Sequence, residues 1–285
     1  MSDSEVIVLL ASLVLSFYFA FKWYKPIVSN QSLGRNGLLK FVLGILPVIS
    51  FIIINYTLKE LASFDVVNDG VYIFFYILLG FAWIFTGIWW LFYFFDLSWI
   101  DDVVNSNNKA AFDTVIGGFL GITFIYAGAN IGDGPGWWCV IVAGGIGMIL
   151  WVVLARCLHR FTGIFEKITV GRDTACGIRI GSYLLASGLI IGRASAGDWT
   201  SFSQTILEFW AGWPALVVTI LALFVELYYN NKEKDNGNLT NNSFIVAIFW
   251  GVLYLVIAVL SLYLYPLPQN PIYESELLGL IGGRL

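Results

Sequence analysis

The sequence predicts an all-α fold, a bundle of about eight membrane-spanning helices built from tandem two-helix repeats. Of the 285 residues, 59% are hydrophobic and only 12% are charged, whereas a soluble domain carries about 25% charged residues. The mean hydropathy is +0.81. A surface so poor in charge cannot face water everywhere, so most of it must face lipid. We therefore expect one transmembrane domain over residues 1–285 and a lipid bilayer as its first partner.

Eight apolar runs are long enough to cross a bilayer, since a helix needs about 20 such residues to span the hydrocarbon core. The runs are continuous, which is typical of helices, whereas barrel strands would show short alternating segments. The predicted spans are Val6–Tyr24, Phe41–Leu58, Val71–Phe95, Ala110–Ile131, Trp137–Leu158, Thr174–Gly192, Thr205–Tyr229 and Ser243–Tyr265.

The distribution of positive charge predicts the orientation of these spans, because cytoplasmic loops are rich in Lys and Arg. Eleven of the fifteen Lys and Arg residues fall in or beside the loops after spans one, three, five and seven. Lys59, Arg193 and Arg284 fall on the opposite side, and Arg179 falls inside a span. This asymmetry requires an even number of spans and predicts that both termini lie outside.

An internal repeat is indicated by the polar residue that opens the helix after each cytoplasmic loop. Asn and Asp favour this N-cap position because their side-chain oxygen accepts a free backbone N–H. The four predicted caps are Asn36, Asn108, Asp173 and Asn242. The two middle units match best, and the first and last match in the cap and a few apolar positions. All units point the same way, so we expect them to be related by an axis along the membrane normal.

The middle of the chain resembles the YjfL-like bacterial membrane family of unknown function. The resemblance rests on an acidic linker, Asp96 to Asp102, then Asn108-Lys109-Ala110-Ala111, then Gly117-Gly118-Phe119-Leu120-Gly121, and covers about Val71–Tyr229. A second copy, Gly171 to Ala175, has Asp173 where the family pattern has Asn. The resemblance implies a family-like core of two helix pairs over residues 71–229, a bacterial inner-membrane location and a role as a subunit of a larger apparatus.

Asp113 and Arg179 are the candidate functional pair, because they lie at equivalent depths in the two middle repeats. A charge inside the bilayer costs about 2.5–3.5 kcal/mol or more unless it is paired or hydrated. If the repeats pack side by side, the two side chains can neutralise each other. Alternatively, Arg179 extends to the cytoplasmic interface and Asp113 is stabilised by the positive end of its helix. A third alternative is that the pair lines an ion or proton path.

Small-residue steps in the middle spans predict close helix contacts, since glycine lets two helix backbones approach. The alternatives are packing within one chain, an interface between subunits, or a narrow pore lining. The predicted packing glycines are Gly117, Gly121, Gly144, Gly188 and Gly192.

No motif in the sequence indicates a reaction. Three cysteines without metal-ligand spacing and a single histidine predict no metal site, and a net charge of −4 predicts no nucleic-acid partner. We therefore expect no catalytic residues and no cofactor. The favoured function is a non-enzymatic subunit or scaffold, as a homo-oligomer or with a partner protein, and the alternative is an ion or small-solute channel or transporter. The outer tail, residues 266–285, is predicted either to lie on the outer membrane surface or to dock on a partner.

Overall fold

The structure is a computed structural model that describes residues 1–29, 37–236 and 242–267. These residues form helices and connecting turns without a β-strand, which confirms the predicted all-α class. Eight helices are long and apolar enough to cross a membrane. They are α1 (Asp3–Val28), α2 (Gly37–Glu60), α4 (Gly70–Phe95), α5 (Lys109–Ala129), α6 (Trp137–Thr162), α8 (Thr174–Ala194), α10 (Pro214–Asn236) and α11 (Asn242–Leu264).

Short helical segments connect several of these spans. The acidic linker after α4 forms a π-helical turn, Trp99–Asn105, in which the Asp102 carboxylate accepts the backbone N–H of Ser98 at 2.8 Å. The remaining segments are α3 (Phe64–Val67), α7 (Ile164–Thr169), α9 (Phe202–Glu208) and a 3₁₀ turn (Phe209–Gly212). They keep the described connections compact and leave no extended loop between the spans from α4 to α10.

The predicted seventh span, Thr205–Tyr229, is wrong at its N-terminal end. The spanning helix α10 begins at Pro214, and residues 205–212 belong to α9 and the 3₁₀ turn. Proline has no N–H to donate and its ring fixes a helical φ, so it suits the first turn of a helix and disfavours continuation from the preceding one. The apolar run therefore contains a break that hydropathy alone does not reveal.

Helices α5 and α8 form the centre of the bundle. In the most apolar 18-residue stretch of each helix, 72% of α5 and 78% of α8 is buried inside the bundle, whereas only 11% of α1 is buried. Helices α2 and α4 pack on α5, whereas α10 and α11 pack on α8, and α6 contacts both central helices. The outermost helix, α1, packs mainly on α4.

The two predicted caps that the structure describes hold the start of these central helices. The Asn108 side chain accepts the N–H groups of Ala110 and Ala111, and it also donates to the carbonyl of Ile168 at 2.7 Å. Asp173 accepts the N–H of Cys176 at 3.1 Å. Asn36 and the side chain of Asn242 lie outside the described residues, so the fourfold pattern of caps stays a prediction.

The C-terminal ends of α5 and α8 are joined through the turns that follow them. The Gly197 N–H donates to the Ile131 carbonyl at 3.1 Å, and the Asp133 N–H donates to the Asp198 carboxylate at 2.8 Å. A third bond runs from the Trp199 N–H to the Asp133 carbonyl at 2.7 Å. These bonds link the Gly-Asp turn after α5 to the Gly-Asp turn after α8.

Candidate functional site

The contact between α5 and α8 is made by glycines that meet backbone to backbone. A methyl group on Gly117 would overlap the carbonyl oxygen of Gly181, and one on Gly128 would overlap the carbonyl oxygen of Gly192. Both pairs are 64 residues apart, which shows that α5 and α8 run in the same direction. The helices therefore lie as close as two helix backbones can, and no side chain separates them at these points.

Four of the five predicted packing glycines belong to this contact. Besides Gly117 and Gly192, a methyl group on Gly121 would lie 2.7 Å from the Leu184 carbonyl oxygen, and one on Gly188 would overlap the Gly121 backbone. Gly144 differs, because it lies on α6 and faces the Trp83 side chain and Ala129. Gly128, Gly177 and Gly181 are also at the contact and are absent from the predicted set. Gly177 with Gly181, and Gly128 with Gly132, have the same Gly-x-x-x-Gly spacing, so the sequence contained a signal that could have found them.

Arg179 is almost completely buried, with 3% of its surface exposed, and it forms an ion pair with Glu226 of α10. Its Nε and Nη2 donate to the two carboxylate oxygens at 2.5 and 2.8 Å. Such a two-point contact matches the planar fork of the guanidinium to the carboxylate. The carboxylate is also fully buried, so each charge depends on the other in place of water.

Neighbouring side chains complete the surroundings of this ion pair. The ring of Tyr229 lies 4.4 Å from the guanidinium carbon of Arg179, in the range of a cation–π interaction. The Cys176 thiol donates to the Glu226 carboxylate at 3.7 Å. Farther along α8, the hydroxyls of Tyr183 and Thr219 are 3.0 Å apart. One face of α8 is therefore polar over several turns, and α10 covers it.

The predicted pairing of Asp113 with Arg179 is wrong, and the cause is the face that each residue occupies. Gly177 and Gly181 turn one face of α8 towards α5. Arg179 is two residues from each of them, about 200° away at 3.6 residues per turn. Its side chain therefore points to α10, away from α5, where Glu226 receives it.

Asp113 lies on a different face of α5, in a partly exposed stripe that also contains Ile116, Leu120 and Phe124. Most other positions of this helix are buried. Within the described chain, its carboxylate has no hydrogen bond and no ion pair shorter than 4 Å. It lies about 6 Å along the helix from Lys109 at 1.5 Å per residue, so it is near the N-terminal start of the span.

Glu226 is a functional candidate that the sequence prediction did not include, because Asp113 was the only carboxylate considered as a partner of Arg179. The available signal was its position, since it lies inside the apolar run of α10, towards the C-terminal end of that helix. Arg179 lies towards the N-terminal end of α8. Two carboxylates, Asp113 and Glu226, were compatible with Arg179 by depth, and only the packing of the helices decides between them.

Among the described residues, no group of three His, Cys, Asp or Glu side chains has the geometry of a metal site. The ion pair is closed by its own partners and by the surrounding helices. Its clearest physical effect is to fix α10 against α8.

No family model, no curated protein and no solved structure matches the chain. The resemblance to the YjfL-like family therefore stays a prediction from the residues that carry it.

Proposed function

We propose that the chain is a non-enzymatic subunit or scaffold of a larger membrane assembly. The observation that supports this most is the closed core, in which α5 and α8 meet backbone to backbone and the adjacent ion pair is satisfied by its own partners. A rigid core of this kind suits a protein that positions others. The resemblance to the YjfL-like family implies the same role.

The surface of the bundle supports lateral contacts as the way this role is carried out. The connections between spans α4 to α10 are short, so little of the described chain extends into water. The outer helices carry large exposed apolar side chains, for example Phe21 on α1 at 65% and Tyr263 on α11 at 84%. A partner in the assembly, a second copy or another protein, would therefore bind mainly within the plane of the membrane.

Co-purification from mild detergent tests this proposal. We expect the tagged chain to leave the membrane with a partner at fixed stoichiometry, so that the particle mass exceeds 31.8 kDa plus detergent. Phe21→Arg and Tyr263→Arg place a charge near a helix end, where a long cationic side chain can reach the interface without preventing insertion.

One of these two variants should release the partner, because the charge would fall in an apolar contact, and the other serves as its matched control. A lone chain in every preparation, with unchanged variants, would contradict the proposal.

A second candidate function, an ion or small-solute channel or transporter, is favoured by Asp113. Its carboxylate lies within a span and has no ion-pair partner in the described chain, and intramembrane carboxylates commonly mark ion or proton paths. An ion flux that disappears in Asp113→Asn would favour this candidate over the subunit.

The finer topology belongs to the same proposal. We infer an inner-membrane location with both termini outside, from the asymmetry of Lys and Arg and from the family resemblance. The parallel contact of α5 with α8, and the bonds between their outer turns, support the two-helix repeat. Superposition of α4–α5 on α6–α8 by rotation about the membrane normal is the geometric criterion for this repeat.

A further inference from the structure

A groove of about 380 Å³ lies between α2 and α11, on the side of the bundle where the core reaches the surface. Its floor includes Gly128 and Gly192, the point at which α5 and α8 touch and where no side chain projects. Ile53 of α2 and Leu262 of α11 are on its walls, and Leu189 lines it as well. The groove is therefore an apolar slot of limited width that opens to the side.

The groove lies at one end of the membrane-spanning region. Gly128 is one residue before the end of α5, Arg193 is one residue before the end of α8, and Leu262 is two residues before the end of α11. By the charge asymmetry, this end of the bundle faces outward. Lipid of the outer leaflet is thus the material that surrounds the groove.

Arg193 provides the positive charge at this groove. Its guanidinium donates to the carbonyl oxygens of Tyr265 at 2.8 Å, Pro266 at 2.6 Å and Ala196 at 3.2 Å. These acceptors are neutral, and within the described residues no carboxylate lies within 4 Å of this guanidinium. A guanidinium has five N–H groups, so three bonds leave two donors. The side chain is held in place by neutral carbonyl groups, and the Glu208 carboxylate acts on its charge only from beyond ion-pair distance.

An occupant of this site must satisfy two conditions at once. The slot requires an apolar chain, and Arg193 requires an anion that accepts from a planar fork, as a phosphate does. Free phosphate meets only the second condition, and an apolar helix of another protein meets only the first. A phospholipid meets both, with an acyl chain in the slot and its phosphodiester at the guanidinium.

We propose that this groove binds one phospholipid of the outer leaflet, with the phosphate on Arg193 and an acyl chain between α2 and α11. The lipid would fill the space beside the α5–α8 contact and neutralise Arg193. It would thereby join α2 to α11 at a point where the core has no side chains of its own. The proposal is independent of the subunit role, whereas the assignment to the outer leaflet rests on the inferred orientation.

Native mass spectrometry of the delipidated protein in detergent tests the proposal, with phosphatidylglycerol as the probe. We expect a one-to-one adduct with phosphatidylglycerol. We expect at least about tenfold weaker retention of diacylglycerol with the same chains, because it lacks the phosphate that bonds to a charged donor. Inorganic phosphate alone should not be retained.

Two variants test the apolar slot and the guanidinium of Arg193 separately. Ile53→Trp fills the slot and leaves Arg193 intact, and Arg193→Lys keeps the charge but removes the fork. Each should weaken retention of phosphatidylglycerol about tenfold, with an unchanged melting temperature for Ile53→Trp. Lys59→Gln is the matched control, because Lys59 is an exposed cation at the same end of α2 outside the groove, and it should bind as the wild type does.

Three outcomes would overturn the proposal. They are equal retention by Ile53→Trp and the wild type, equal retention of diacylglycerol and phosphatidylglycerol, and displacement of the lipid by phosphate alone. A protein segment photocrosslinked at Leu189 in native membranes, in place of lipid, would also contradict it.

Discussion

Arg179 and Glu226 lose their hydration where they meet inside the bundle, and each is stabilised as an ion by the other. Removing one partner leaves an isolated charge in an apolar site, which costs about 3–5 kcal/mol. Removing both leaves no isolated charge, and replacement of a buried ion pair by apolar residues of similar volume is often neutral. The effects of the two substitutions on the free energy of unfolding are therefore predicted to be strongly non-additive.

Thermal unfolding in detergent measures this coupling. Arg179→Met and Glu226→Leu should each lower the melting temperature strongly, and the double variant should recover most of the loss. Arg160→Met is the control, since Arg160 is exposed on α6, and it should change little. If the losses in melting temperature simply added in the double variant, the two residues would act separately.

The sequence alone could not decide which carboxylate pairs with Arg179. Depth along the spans is readable from the sequence, and it places Arg179 near the N-terminal end of its helix. The direction of the side chain depends on which face of α8 the glycines give to α5, and that follows from tertiary packing. Asp113 was therefore chosen as the partner, although Glu226 was equally compatible with the charge and depth.

At the level of elements, the α5–α8 contact depends on the absence of side chains. A methyl group on Gly117 would overlap the Gly181 carbonyl, so Gly117→Ala must push two central helices apart and disturb the packing on both sides. Overpacking of this kind typically costs about 1–3 kcal/mol. We expect a lower melting temperature and poorer extraction as a single species.

Gly44→Ala provides the matched control for this substitution. Gly44 lies inside α2, and a methyl group there would meet nothing within 4 Å. Alanine is a better helix former than glycine by about 1 kcal/mol, so this change should leave stability unchanged or raise it. If both alanine variants had the same melting temperature, the close contact of α5 with α8 would be refuted.

Most of the spans were predictable because an apolar run of this length has few alternatives to a membrane helix. The caps Asn108 and Asp173 were also readable, since their chemistry acts within a few residues of sequence. The start of α10 was not, because residues 205–212 are apolar enough to continue a span although Pro214 separates them from it. Local hydropathy measures how favourably a segment transfers from water to lipid. It gives no information on where one helix ends and the next begins.

The whole molecule is predicted to have both termini outside, and thiol labelling in intact cells tests this orientation. In a background with Cys139, Cys157 and Cys176 replaced by Ala, Lys167→Cys should resist an impermeant maleimide. Glu60→Cys, at the opposite end of the bundle, should react.

Lysis should make the Lys167→Cys site accessible, which controls for burial. Reaction of Lys167→Cys in intact cells would overturn the orientation, because it lies in the predicted cytoplasmic loop after the fifth span.

A bundle whose middle helices meet backbone to backbone offers no path between them. Ion flux through proteoliposomes tests this closed core, with the purified chain reconstituted and the efflux of K⁺, Na⁺ and H⁺ followed under an imposed potential. We expect efflux no faster than from protein-free liposomes, for the wild type and for Asp113→Asn alike. Flux well above this background in the wild type, and lost in Asp113→Asn, would contradict it.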